Sequence, residues 1–132
     1  MGMSTSTILI LLLIGLSAGI LSGFVGIGGG VIIVPALVFA LGLTQHQAQG
    51  TSLFVLAMPV VILGLMNYWK TNNVNWQFGL IIAISFAVGG YLGSKFSLKL
   101  SPSILKIAFG ILMAFISARL IISGFNTFQN EN

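Results

Sequence analysis

Hydrophobic positions in this chain come in long runs without helical or strand alternation, and the polar positions punctuate them. Residues 7–43 form one apolar region in which Ser17 and Ser22 are nearly the only polar side chains. The cluster Gly26-Ile27-Gly28-Gly29-Gly30 divides this region into 8–25 and 31–43. A straight helix over 7–43 would be about 55 Å long at 1.5 Å per residue, against a hydrocarbon core of about 30 Å. Four glycines in five positions remove the side chains that favour a helix. The lengths predict a full first helix followed by a half-membrane element of about 20 Å over 31–43, joined at the glycines.

The remaining punctuation divides the rest of the chain. Thr44-Gln45-His46-Gln47-Ala48-Gln49-Gly50-Thr51-Ser52 is polar, and the apolar run after it contains Pro59. That run is slightly short for a span, so its helix is expected to begin within the polar stretch and to cover about 47–68. Tyr68, Trp69 and Trp76 frame an Asn-rich turn suited to the headgroup belt. The next helix is expected over about 77–94. Ser101-Pro102, an N-cap residue followed by proline, starts the last one, over about 102–125. Residues 126–132 read as a short polar tail.

Composition turns these runs into a class. Of 132 residues, 57% are hydrophobic and 5% charged, with mean hydropathy +1.12. A soluble domain carries about 25% charged residues, so this chain cannot cover itself with a water-compatible surface. The expectation is an all-α integral membrane protein, one domain over 1–132, with four to five transmembrane or re-entrant helices and a glycine-broken first element. It is expected to be multi-pass in the cell (inner) membrane, with the lipid bilayer as its surroundings. No Lys or Arg precedes the first apolar run, so that run is expected to be an uncleaved helix rather than a secretory signal. Lys95, Lys99 and Lys106 outnumber Lys70, which places the 95–106 connection in the cytoplasm and the 69–77 turn and C-terminus outside.

Charge and chemistry then narrow the function. The net charge of +4 rests on five basic residues spread thinly, which does not support nucleic-acid binding. There is no cysteine, and Glu131 is the single acid. Carboxylate proton relays and acidic cation sites cannot be built within the membrane from this chain, which also weakens a small multidrug exporter of the short helical type. No Ser/His/acid triad, metal cluster or cofactor motif is present, which argues against an enzyme. The residues after Gly30 are Val, Ile and Ile, and Val31 stands where a dinucleotide fingerprint needs glycine, so nucleotide binding fails.

A glycine break inside a membrane has another use. It exposes backbone N–H groups and sets a helix N-terminus, at about Val31, towards a cavity, where an anion can bind without a basic side chain. Discontinuous helices hold substrates this way in transporters; a packing kink without a ligand is the alternative. Gly26, Gly28, Gly29 and Gly30 are the candidate substrate-binding residues, with Thr51 and Ser52 as secondary contacts and Pro35 shaping the short helix. Gly15, Gly19 and Gly23 recur every four residues and fit either close helix packing or ordinary glycine enrichment. His46 suits an interfacial turn or a substrate contact. Arg119 suits snorkelling to the interface or attraction of an anion within a dimer.

The stretch Gly23-Phe24-Val25-Gly26-Ile27-Gly28-Gly29-Gly30-Val31-Ile32-Ile33-Val34-Pro35 resembles the glycine-rich signature of the TauE/SafE sulfite exporters and anion permeases. The resemblance continues through Ala48-Gln49-Gly50-Thr51-Ser52-Leu53 and Gly89-Gly90-Tyr91-Leu92-Gly93-Ser94. It implies transport of a small, sulfur-containing anion of the sulfite, sulfoacetate or thiosulfate class. Members have two related halves, each opening with this motif, and this chain has one copy. The resemblance therefore implies a half-sized unit that works as a homodimer or with a second half-sized chain. A non-transporting subunit that packs with a partner permease is the other reading.

Overall fold

The computed structural model describes residues 3–26 and 28–130. Met1 and Gly2, Ile27 of the glycine cluster, the acid Glu131 and Asn132 lie outside the described residues. Six helices follow one another and no strand occurs among the described residues: α1 (Thr5–Val25), α2 (Gly30–Leu41), α3 (Gln45–Ala57), α4 (Ile62–Lys70), α5 (Trp76–Ser97) and α6 (Pro102–Asn130). The fold is an all-α one of membrane type. Three helices, α1, α5 and α6, are long and apolar enough to cross a membrane, and α3 with α4 makes a fourth span if their bent pair is counted as one.

Local chemistry explains the helix starts. The Ser4 hydroxyl accepts from the Thr7 amide, and the Asn75 side chain accepts from the Phe78 amide. Thr44 and Gln47 form a reciprocal capping box: the Gln47 amide donates to Thr44 Oγ1 at 3.2 Å, and the Thr44 amide donates to Gln47 Oε1 at 3.0 Å. This fixes the start of α3 at Gln45, two residues before the expected 47.

The span expected as one helix over 47–68 is two. Pro59 has no N–H to return to the Val55 carbonyl, which takes the Met58 amide instead at 3.2 Å. The chain turns through Val60 and Val61, and α4 leaves α3 at 51°. The last helix is longer than expected. It runs to Asn130 because residues 126–130 contain no breaker, and the Thr127 hydroxyl bonds back to the Ser123 carbonyl at 3.0 Å.

The core is small and lies at the N-terminal end of the chain. Ala18 of α1, Ile33, Val34 and Leu37 of α2, and Ala48 of α3 are buried together. The short helix α2 sits between α1 and α3 and packs on both. Pro35 lies inside α2, half-buried, where it removes one rung of the helix without ending it. Helices α4, α5 and α6 bury no residue. The accessible surface is 10354 Å², where a compact soluble chain of this mass exposes about 6,700 Å². Lipid or protein must cover the difference.

Three long-range hydrogen bonds tie the two ends of the molecule. The Tyr68 hydroxyl donates to the Gly23 carbonyl at 2.8 Å, which brings the end of α4 to the end of α1. His46 Nε2 donates to the Leu100 carbonyl at 3.2 Å, which brings the start of α3 to the connection between α5 and α6. Ser97 donates to Gln49 Oε1 at the same end, at 3.1 Å.

Candidate functional site

The glycine break is built as two sharp backbone reversals. Gly26 caps α1 at φ 73° and returns its amide to the Ser22 carbonyl at 2.8 Å; Gly28 follows at φ 79°. Both lie in the left-handed region, which a side chain makes costly. Gly29 is the N-cap of α2 and offers no side chain to its first turn. This helix therefore begins with backbone donors and no side-chain cap, among apolar neighbours.

Gly30 serves another purpose. A Cβ there would stand 3.2 Å from Ser52 Oγ and 3.9 Å from Leu56 Cδ1, so the missing side chain is what lets α2 lie on α3. Ser52 is buried at 4% exposure on the far side of that contact.

The break opens on a groove of about 670 Å³. One wall is the small-residue face of α1, formed by Gly15, Ala18, Gly19, Ser22 and Gly23; the break adds Gly26, Gly28 and Gly29. The opposite wall comes from the end of α3, the second break at Val60 and Val61, and α4 through Gly64, Leu65 and Tyr68. The two helix breaks thus face one another across one space. Among the described residues no acidic or basic side chain lines it, and its polar side chains are Ser22 and Tyr68.

Of the residues expected to bind substrate, Gly26, Gly28 and Gly29 come together at the groove, while Gly30 and Ser52 meet each other behind it. Thr51 does not join them. It is exposed and its hydroxyl bonds to the Gln47 carbonyl of its own helix at 2.7 Å. Among the described residues no helix closes on the face of Gly15, Gly19 and Gly23: a Cβ at any of the three would meet nothing within 4 Å. That face is a groove wall here.

His46 lies away from the groove, at the end defined by Leu100. A carbonyl only accepts, so Nε2 carries the proton, and the buried Nδ1 has no partner among the described residues. Arg119 is exposed on α6. Tyr68, expected in the headgroup belt, is the site residue the sequence did not point to; its helical register with Gly64, four residues earlier, was the available signal.

With this geometry in place, comparison with known proteins is decisive for the family. The sequence profile described as "Sulfite exporter TauE/SafE" matches residues 5–131. The chain belongs to the TauE/SafE family.

Its relatives include a "Probable membrane transporter protein" of Xylella fastidiosa, 36% identical over 123 residues that cover 92% of this chain and 44% of that protein. The "Probable membrane transporter protein YunE" of Bacillus subtilis is 34% identical, over 86% of this chain and 44% of its own length. A protein of the same description from Methanocaldococcus jannaschii is 33% identical over 79% of this chain and 41% of its own. The chain therefore spans less than half the length of these relatives. No solved structure matches it. The TauE/SafE family is one of membrane transporters, and this member is a multi-pass membrane protein.

Proposed function

We propose that the chain is one repeat of a permease for a small sulfur-containing oxyanion, of the sulfite, sulfoacetate or thiosulfate class, in the cell membrane. The observation that carries this reading is the start of α2. It has no side-chain cap, and it begins beside Gly28 and Gly29, which line a groove without ionised side chains among the described residues. A helix N-terminus presents about half a positive charge and several N–H donors. In a setting with few polar competitors these donors favour an oxyanion over a cation. Backbone donors hold an anion by geometry, and Gly26 and Gly28 allow the chain to present them.

The groove contains one glycine cluster. Two such units facing each other would enclose the anion between two glycine clusters, the arrangement expected when a site forms at the interface of repeats. The large exposed surface of α4, α5 and α6 supports that pairing, with a second copy of this chain as the partner. Alternating access would then move one unit against the other about the site. The lysines at 95, 99 and 106 favour a cytoplasmic position for the end where His46 meets Leu100.

Radiolabelled sulfite uptake by proteoliposomes containing the crosslinked dimer tests the reading. Flux that sulfoacetate or thiosulfate competes away is the expected result. An intact reconstituted dimer that passes none of the three anions would falsify it. Since the chain has no cysteine, a single cysteine at position 23 reports pairing directly. A stable complex with a different chain, and no homodimer, would replace the second copy by that partner.

A further inference from the structure

We propose that Tyr68 gates the groove: its hydroxyl exchanges between the Gly23 carbonyl, which closes the end between α1 and α4, and an anion at the glycine break. The proposal rests on the reading of the groove as the anion's path. It starts from the 2.8 Å bond that joins Tyr68 to Gly23. Gly23 lies in the last turn of α1, where carbonyls lack a partner within the helix. Tyr68 supplies that carbonyl with a donor, at an exposed contact.

A phenol has one proton to donate. Tyr68 therefore cannot hold Gly23 and donate to an anion at the same moment. It lines the same groove as Gly26, Gly28 and Gly29, and Ser22 is the other polar side chain there. The helix that carries it is built to move. α4 has nine residues, buries none of them, and joins α3 through a 51° bend at Pro59 that lacks a continuous helical ladder. Val60 and Val61 of that bend line the groove with it.

The chemistry also fixes what must replace Tyr68 at Gly23. An anion is itself an acceptor and cannot satisfy a carbonyl. Water can. Opening the gate therefore hydrates the end of the groove next to the Asn-rich turn, and closing it expels that water. Tyr68 is a positioning residue at the entrance and a donor to the anion within.

The test uses the absence of native cysteine. Gly19→Cys places a thiol on the groove wall, where a Cβ meets nothing within 4 Å. In proteoliposomes, its labelling by a charged, membrane-impermeant thiol reagent reads entry of water into the groove. Tyr68→Phe keeps the ring and removes the bond. Labelling in Gly19→Cys/Tyr68→Phe is expected to rise about two- to twelvefold over Gly19→Cys, the range of one net hydrogen bond. A cysteine at the exposed Asn73 should label equally in both. Equal labelling at position 19 overturns the gate.

A second measurement needs no change at position 68 beyond a fluorine. The chain has two tyrosines, so 3-fluorotyrosine in Tyr91→Phe gives a single ¹⁹F resonance from Tyr68. Sulfite should shift it. An unshifted resonance in proteoliposomes that carry sulfite flux overturns the gate and leaves the permease reading intact. Absence of flux overturns the permease reading, while the labelling ratio, measured without any anion, still decides the gate.

Discussion

Replacing Gly30 by alanine should weaken the docking of α2 on α3, and should do so through one atom. The new Cβ would lie 3.2 Å from Ser52 Oγ, a few tenths of an ångström inside ordinary contact. Ser52 is 4% exposed, which leaves its side chain little room to yield. Overpacking of this kind costs about 1–3 kcal/mol. Alanine also favours the helix over glycine by up to about 1 kcal/mol, so the net loss should be about 0–3 kcal/mol. In a Ser52→Ala background the obstructing atom is gone, and Gly30→Ala should become neutral or stabilising by up to about 1 kcal/mol. The coupling between the two positions is therefore expected at about 1–3 kcal/mol, well above the roughly 0.5 kcal/mol scatter of independent sites. Reversible unfolding in mixed micelles, followed by helical ellipticity, measures all four corners of the cycle. Equal effects of Gly30→Ala with and without the Ser52 hydroxyl would show that the close approach of α2 to α3 at this point is not what glycine provides.

Other substitutions separate backbone conformation from space. Gly15 and Gly28 both have room for a Cβ, with nothing within 4 Å, but Gly28 has φ 79°. Gly28→Ala should cost about 1–2 kcal/mol and Gly15→Ala nothing, or should stabilise α1 by up to about 1 kcal/mol; the same unfolding experiment checks both. Thr44→Ala removes half of the capping box and should cost about 0.5–2 kcal/mol. Thr51→Val, at an exposed hydroxyl bonded within its own helix, should stay within about 0.5 kcal/mol and leave sulfite flux unchanged.

Much of the fold could be read from the residues because membrane helices are set by length and hydropathy. The helices around 77–94 and 102–125 are found with extended ends, and the start of α2 at Gly30 falls one residue from the expected Val31. The bend between α3 and α4 was not legible. Pro59 was visible, but the apolar run around it was slightly short for a span and was completed from the polar stretch before it as one helix, and a proline bends or ends a helix according to what its neighbours can re-pair. The site was legible in its glycines and not in its walls. Spacing puts Gly15, Gly19 and Gly23 on one face, but only tertiary structure decides whether a helix or a groove meets that face. The contact of Tyr68 spans 45 residues, and no local pattern carries that information.

The uncharged lining of the groove has an electrical consequence. With no ionised side chain among the described residues to travel beside it, an anion crossing on the proposed path without a coupling ion moves its full charge through the membrane field. A potential of 100 mV, negative inside, then contributes about 2.3 kcal/mol per charge to its exit. That corresponds to about a fiftyfold concentration ratio. Such a path would favour export without a coupling ion, and its direction and rate would follow the cell's voltage.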